Sequence, residues 1–245
     1  VVDGDDSLDG GNYSAQSRQL SSETFDADSF QSLDLDVTSG EVEIKCVSGG
    51  QVRVIESGRV AKGVATYDAA TQNLAEVKGS ALKIRQFDCD DERAIDRTVT
   101  VELPRELADN MMDISANVGS GDLTITDIAC HDFDLTLDSG DVEFAGTVTD
   151  TLNAEVGSGD VTFELYQAPA KSMDVSVDLG DVEITVPNST GFKARLTVGS
   201  GDFESDFLPL GYDGETTLNH EFDNGDKSAT YRFKVGSGDM SFDSE

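Results

Sequence analysis

The chain has 245 residues and a net charge of −32, from 49 acids against 17 bases. A surface this negative repels nucleic acid and anionic membranes, and it attracts cations or basic partners. No apolar run approaches the roughly 20 residues that a membrane-spanning helix needs, and 37% hydrophobic residues are enough to build a core.

The chain opens on "VVDGDDSLDGGNYSAQS", where Asp3, Asp5, Asp6 and Asp9 lie among glycines and serines. Residues 1–29 are expected to form an acidic, flexible tether. The opening carries no initiator Met and no apolar stretch. It reads as a mature chain whose targeting segment has been removed, or as an expressed piece of a cytoplasmic protein.

Residues 30–245 are expected to form one elongated domain. Its first clear strand signal is "SGEVEIK", headed by Gly40 and followed by Cys46. Residues 51–105 hold fainter strands ("QVRVIES", "LAEVKG", "ALKIRQ", "RTVTVELP") and many of the bases, which suggests less regular early rungs. Cys89 sits in the acidic "FDCDDE". Cys46 and Cys89 are the favoured disulfide pair for an exported chain; three free thiols, with Cys130, are the alternative. The cysteine spacings match no zinc signature, and "CHD" (Cys130, His131, Asp132) is too short to hold a metal unaided.

From Glu106 to Ala170 there is no Lys or Arg, and here a repeat becomes plain. Gly121, Gly140, Gly159, Gly180 and Gly201 each precede an aspartate, at intervals of 19, 19, 21 and 21, and Gly238 follows after 37. Gly79, in "VKGSALKIRQ", reads as a degraded copy. A fixed period near 20 signals a repeat architecture. Each period alternates apolar and polar residues on both sides of the turn: Phe133, Leu135 and Leu137 before one, Val142 and Phe144 after it. That pattern gives strands with one buried face. A meander of hairpins has no reason to repeat every second turn, whereas a coil stacks equivalent turns and needs the same backbone at each. The expected fold is all-β, a parallel β-solenoid with about 20 residues per rung.

In such a coil Asp122, Asp141, Asp160, Asp181 and Asp202 form a ladder. Unit charges about 4.8 Å apart repel by roughly 0.9 kcal/mol in water. Backbone N–H groups within each aspartate's own turn are expected to offset this. The alternative is a file of calcium ions along the corner, although the other turns lack ligands for it. Further on, residues 208–229 replace a rung with a loop or hairpin. His220 lies there beside Glu221 and Asp223, and it reads as a solvated loop histidine.

The stretch "TVTVELPRELADNMMDISANVGSGDLTITDI", with its further "SGDV" turns, resembles the bacterial putative adhesin family over roughly residues 30–245. It departs from the family at "LPREL" (Leu103–Leu107) and in the insertion before Tyr231. The resemblance implies a right-handed parallel β-helix, an exported or surface location, and a parent often tethered to a membrane. It implies no established activity.

No nucleophile motif, zinc-protease helix or phosphate loop is present; "GSGD" leads into a strand and so offers no helix N-terminus to a phosphate. Carboxylate pairs are common, but tryptophan is absent and the tyrosines number 5, few for sugar platforms. The favoured reading is a non-catalytic cell-envelope or surface module that contacts protein or glycan through a solenoid face. The alternatives are a calcium-stabilised structural module and a polysaccharide-acting enzyme.

Overall fold

The computed structural model describes residues 13–14, 16–62, 74–85, 94–188, 191–207, 218–225 and 228–245. In chain order its strands are β1 (Arg18–Asp26), β2 (Ser32–Ser39), β3 (Glu41–Val47), β4 (Gln51–Val60), β5 (Ala75–Lys78) and β6 (Ala81–Arg85). After these come β7 (Ala94–Pro104), β8 (Met111–Ser120), β9 (Leu123–Ser139), β10 (Val142–Ser158), β11 (Val161–Gln167) and β12 (Ser172–Leu179). The last are β13 (Val182–Val186), β14 (Phe192–Val198), β15 (Phe203–Glu204), β16 (Leu218–Asn224), β17 (Ala229–Ser237) and β18 (Met240–Ser244).

These strands form two facing layers. The first runs β5–β6–β2–β8–β9–β10–β12–β17–β14–β16, with β9 and β10 contributing their second halves. The second runs β1–β4–β7–β3–β9–β10–β11–β13–β18–β15, with the first halves of β9 and β10. Pairing is parallel throughout except β5–β6 and β14–β16 in the first layer and β1–β4 and β4–β7 in the second. The expected all-β fold with parallel stacking of equivalent strands is present.

The period-two alternation builds the core between the layers. Phe133 in the first layer meets Phe144 in the second at 5.1 Å between ring centroids, and Phe233 meets Phe242 at 5.0 Å. All four are almost wholly buried. Each such aromatic or branched side chain contributes about 1.5–3 kcal/mol by leaving water. Tyr231, also buried, donates its hydroxyl to the Pro169 carbonyl at 2.8 Å, so its polar end is satisfied where no water reaches.

The order of the rungs departs from the order of the chain at both ends. The rung bearing Gly238 (β17 and β18) lies between those bearing Gly180 (β12 and β13) and Gly201 (β14 and β15). At the other end β6 and β7 come after β2 and β3 in the chain yet lie outside them in the stack. The period could not foresee the first swap, because the Gly-Asp corners share one shape and any one fits against any other; β6 and β7, at the other end, are joined by no Gly-Asp sequence that could mark their place.

Three expectations of detail change. Gly79 turns the antiparallel β5–β6 hairpin at φ +66 and is not a corner. Arg18–Asp26, assigned above to the tether, form β1, whose Phe25 packs against the core; the acidic composition hid a half-buried alternation. Within 208–229, Leu218–Asn224 form β16, and Ala229 begins β17; residues 208–217 lie outside the described part.

Candidate binding faces and the corner that shapes them

The corners are Gly-Asp turns, most of them preceded by serine (Leu179 precedes Gly180), and hydrogen bonds tie each to its neighbours. At Gly140 the backbone N–H donates to the Ser158 carbonyl at 2.9 Å, and the Val142 N–H donates to the Asp160 carbonyl at 2.9 Å. The Asp160 N–H points back and donates to Oδ1 of Asp141 at 3.0 Å. The carboxylate thus takes over where the bent backbone presents no carbonyl. The acceptor role was expected, but the donor belongs to the next rung rather than to the aspartate's own turn.

The ladder runs Asp122–Asp141–Asp160–Asp181–Asp239–Asp202, each N–H after the first donating to Oδ1 of the aspartate before it at 2.7–3.0 Å. Asp239 therefore stands between Asp181 and Asp202, which the sequence reading placed side by side. Glycine is required beside each aspartate for two reasons. At Gly159 the backbone sits at φ +139, and a Cβ there would lie 1.8 Å from the Gly140 carbonyl oxygen. The corners stack too closely for any side chain on the inner side of the bend.

The outward side chains of the two layers differ in charge. On the first layer they line a shallow groove of about 660 Å³ across β8 to β14. Its charged groups balance: Asp134, Glu155 and Asp174 against Arg195, Arg232 and Lys234. Neutral donors and acceptors fill the spaces between, among them Ser115, Asn117, Thr136, Asn153, Ser176 and Thr197. Several are fixed by cross-strand bonds. Asn153 donates to Asp134 at 2.7 Å, and Arg232 donates to both oxygens of Asp174 at 3.1 Å.

On the second layer, beside the corner, a concavity of about 470 Å³ is lined by Asp160, Asp181, Glu183, Asp202, Glu204 and Asp239 and by no base. The corner carboxylates of Asp160, Asp181 and Asp239 there commit one oxygen each to a neighbouring N–H. Among the described residues, no group of three or more His, Cys, Asp or Glu side chains is placed to hold a metal ion.

The remaining sequence candidates are scattered. Cys130 points into the core and His131 away from it, as strand alternation dictates, so "CHD" does not converge. Burial, helped by Asp132 and Asp113, pushes the Cys130 thiol up to about 12. Cys46 and Cys130 are free thiols; Cys89 lies outside the described residues, and with it the proposed pairing. His220, Glu221 and Asp223 lie on β16. At the turn joining the second layer back to the first, Lys171 hydrogen-bonds Asp150 at 2.8 Å. That bond lowers the Asp150 carboxyl and raises the Lys171 ammonium from their ordinary values. The groove itself was missed from sequence, because its groups meet only when strands 19 to 58 residues apart stack side by side.

A family model described as Toastrack DUF4097 matches residues 4–242. Among solved structures, a putative cell adhesion protein from Clostridium sporogenes ATCC 15579 is similar at a TM-score of 0.53 and 11% identity, over 94% of this chain and 100% of that one. A putative adhesin from Bacteroides fragilis NCTC 9343 reaches a TM-score of 0.49 at 13% identity, over 93% and 98%. No curated protein matches this chain.

Proposed function

The chain belongs to the Toastrack DUF4097 family, and on that premise we propose that it is a non-catalytic module of the cell envelope or surface. In this reading it contacts a protein or a glycan across the outward face of the first layer. The supporting observation is the groove's balanced charge. On a molecule of net charge −32, one concave face sets three bases against three acids and fills the rest with amides and hydroxyls. Such a face can approach a neutral or weakly charged partner without the repulsion that the rest of the surface imposes.

A right-handed coil of about 20 residues per rung belongs to the same proposal, as does an extracytoplasmic location. The solved structure with the higher TM-score is named a putative cell adhesion protein, which agrees with this reading in kind. No helix of the described residues is long and apolar enough to cross a membrane.

The test combines a glycan array with cross-linking on intact cells of the source organism, using the wild-type chain and an Arg232→Glu, Lys234→Glu variant. The expected result is a partner or glycan whose capture falls at least tenfold in the variant. Equal capture by both proteins would remove the groove from the account. A polysaccharide-degradation screen tests the non-catalytic part, and surface proteolysis of intact cells tests the location.

A further inference from the structure

The segment 229–244 occupies a slot between two rungs that fit each other without it. In the observed stack Asp174 pairs in register with Arg232, and Arg232 pairs in turn with Arg195, so two guanidinium side chains stand directly opposite each other across β17 and β14. Removing β17 and closing the slot would set Arg195 opposite Asp174, an offset of 21 residues. Asp160 and Asp181 stack at that same offset one rung earlier. Arg195, which is in register with Glu221 of β16 on its other side, would then have an acidic residue in register on both sides in place of the Arg232 neighbour.

The rest of the closed register is equally well matched. On the inward face Ala194, Leu196 and Val198 would lie opposite Met173, Val175 and Val177, apolar against apolar. At the corner Gly201 would stack on Gly180, and the Asp202 N–H would meet Oδ1 of Asp181 in place of the Asp239 N–H. Every corner glycine from Gly121 to Gly238 has the positive φ and the bare α-carbon that such close stacking needs.

We propose that 229–244 is an exchangeable rung, and that the slot it leaves fits the same segment of a second copy of this chain. Release exposes Tyr231, Phe233, Val235, Met240 and Phe242, all buried in the stack. The open state is therefore sparsely populated, and the freed segment has strong reason to rebury itself in any equivalent slot. A second copy offers that slot with identical backbone donors, acceptors and corner geometry.

Hydrogen exchange on the intact chain tests the first half. The amides of 229–244 are expected to exchange together, at least tenfold faster than those of β12 and β14, because closure keeps the flanking strands protected. Exchange of 229–244 no faster than that of β12 would overturn the proposal. The second half is tested by mixing two chains stripped of native thiols (Cys46→Ser, Cys89→Ser, Cys130→Ala), one carrying Ser176→Cys and the other Lys234→Cys. These two positions are in register across β12 and β17. At a strand spacing of about 4.8 Å their Cα atoms lie within disulfide range. A covalent pair of twice 26.1 kDa is expected after co-incubation under mild oxidation, and none when Arg232→Cys replaces Lys234→Cys. Fast exchange without a covalent pair would overturn capture by a second copy.

Discussion

The backbone N–H of Asp239 donates to Oδ1 of Asp181 at 2.7 Å although 58 residues of chain separate them. This bond repeats the one between Asp181 and Asp160, and it holds the inserted rung by the same device as the regular ones. The aspartate is therefore an acceptor first and a charge second, and substitutions separate the two roles. Asp181→Asn keeps an acceptor and removes one repulsion, and is expected to shift stability by less than about 0.5 kcal/mol. Asp181→Ala removes the acceptor and is expected to cost about 1 kcal/mol. Urea midpoints at constant m-value report the difference. Equal losses in both variants would mean that the negative charge, not the hydrogen bond, is what the corner needs.

Salt dependence follows from the same ladder. Neighbouring carboxylates about 4.8 Å apart repel by roughly 0.9 kcal/mol per pair in water, and salt screens this. The melting temperature is expected to rise with sodium chloride. Calcium, which finds no group of three ligands among the described residues, should raise it no more than magnesium at equal ionic strength. A calcium-specific rise reversed by EDTA would restore the cation file as an account of the corner.

The corner glycines separate local strain from close approach. Gly159→Ala would place a Cβ 1.8 Å from the Gly140 carbonyl oxygen at a φ of +139, and a loss of about 3–5 kcal/mol is expected. Gly79→Ala, at φ +66 with nothing within 4 Å, is expected to cost about 1 kcal/mol. Thermal unfolding of the two variants side by side reads the gap.

The thiols are expected to differ sharply in reactivity. Cys130, buried and pushed up to about 12, should resist iodoacetamide at pH 8 in the folded chain, while the half-buried Cys46 reacts; mass spectrometry of Cys89→Ser protein reads both. The linkage has a definite sign. Above the ordinary thiol value near 8.5 the unfolded chain loses a proton that folded Cys130 keeps, so this group lowers stability progressively from about pH 8.5 upward. A Cys130→Ala variant should lose that part of the alkaline slope.

Glu56 and Arg97 form a buried ion pair in which the Arg97 Nε donates to Glu56 Oε1 at 2.6 Å. Arg97→Met alone leaves a carboxylate buried without its guanidinium, and is expected to cost about 3–5 kcal/mol. Pairing it with Glu56→Leu should recover most of that loss. A double variant as unstable as the single one would show that the pair orders the β4–β7 ribbon in a way that apolar packing cannot.

What could be read from sequence was whatever the repeat carried. Gly121 to Gly201 marked corners because each needs the same φ and the same bare α-carbon, and Phe133, Leu135 and Leu137 marked a buried face because strands alternate. The swapped rungs stayed hidden for the same reason the corners were visible. Identical corners carry no information about which neighbour they meet, so Asp202 and Asp239 were equally good successors to Asp181. The Glu56–Arg97 pair and the charge-balanced groove stayed hidden because they join residues 19 to 58 apart, which meet only when their strands stack. In β1 the local signal is weak: of Ser22 to Asp26 only Phe25 is apolar, although the exposure of the strand alternates there.

A pile of parallel strands held by equivalent corners has no natural length, since the last layer presents the next one with a ready template. Here the outermost strands refuse that role: β5 and β16 run backwards against their neighbours, and β15 is two residues long. A newcomer in the repeating orientation could pair with β5 or β16 only antiparallel, so the parallel register of the stack would not be continued. The parallel stack therefore ends in strands of reversed direction or curtailed length, a limit on its repetition that does not depend on charge or ionic strength.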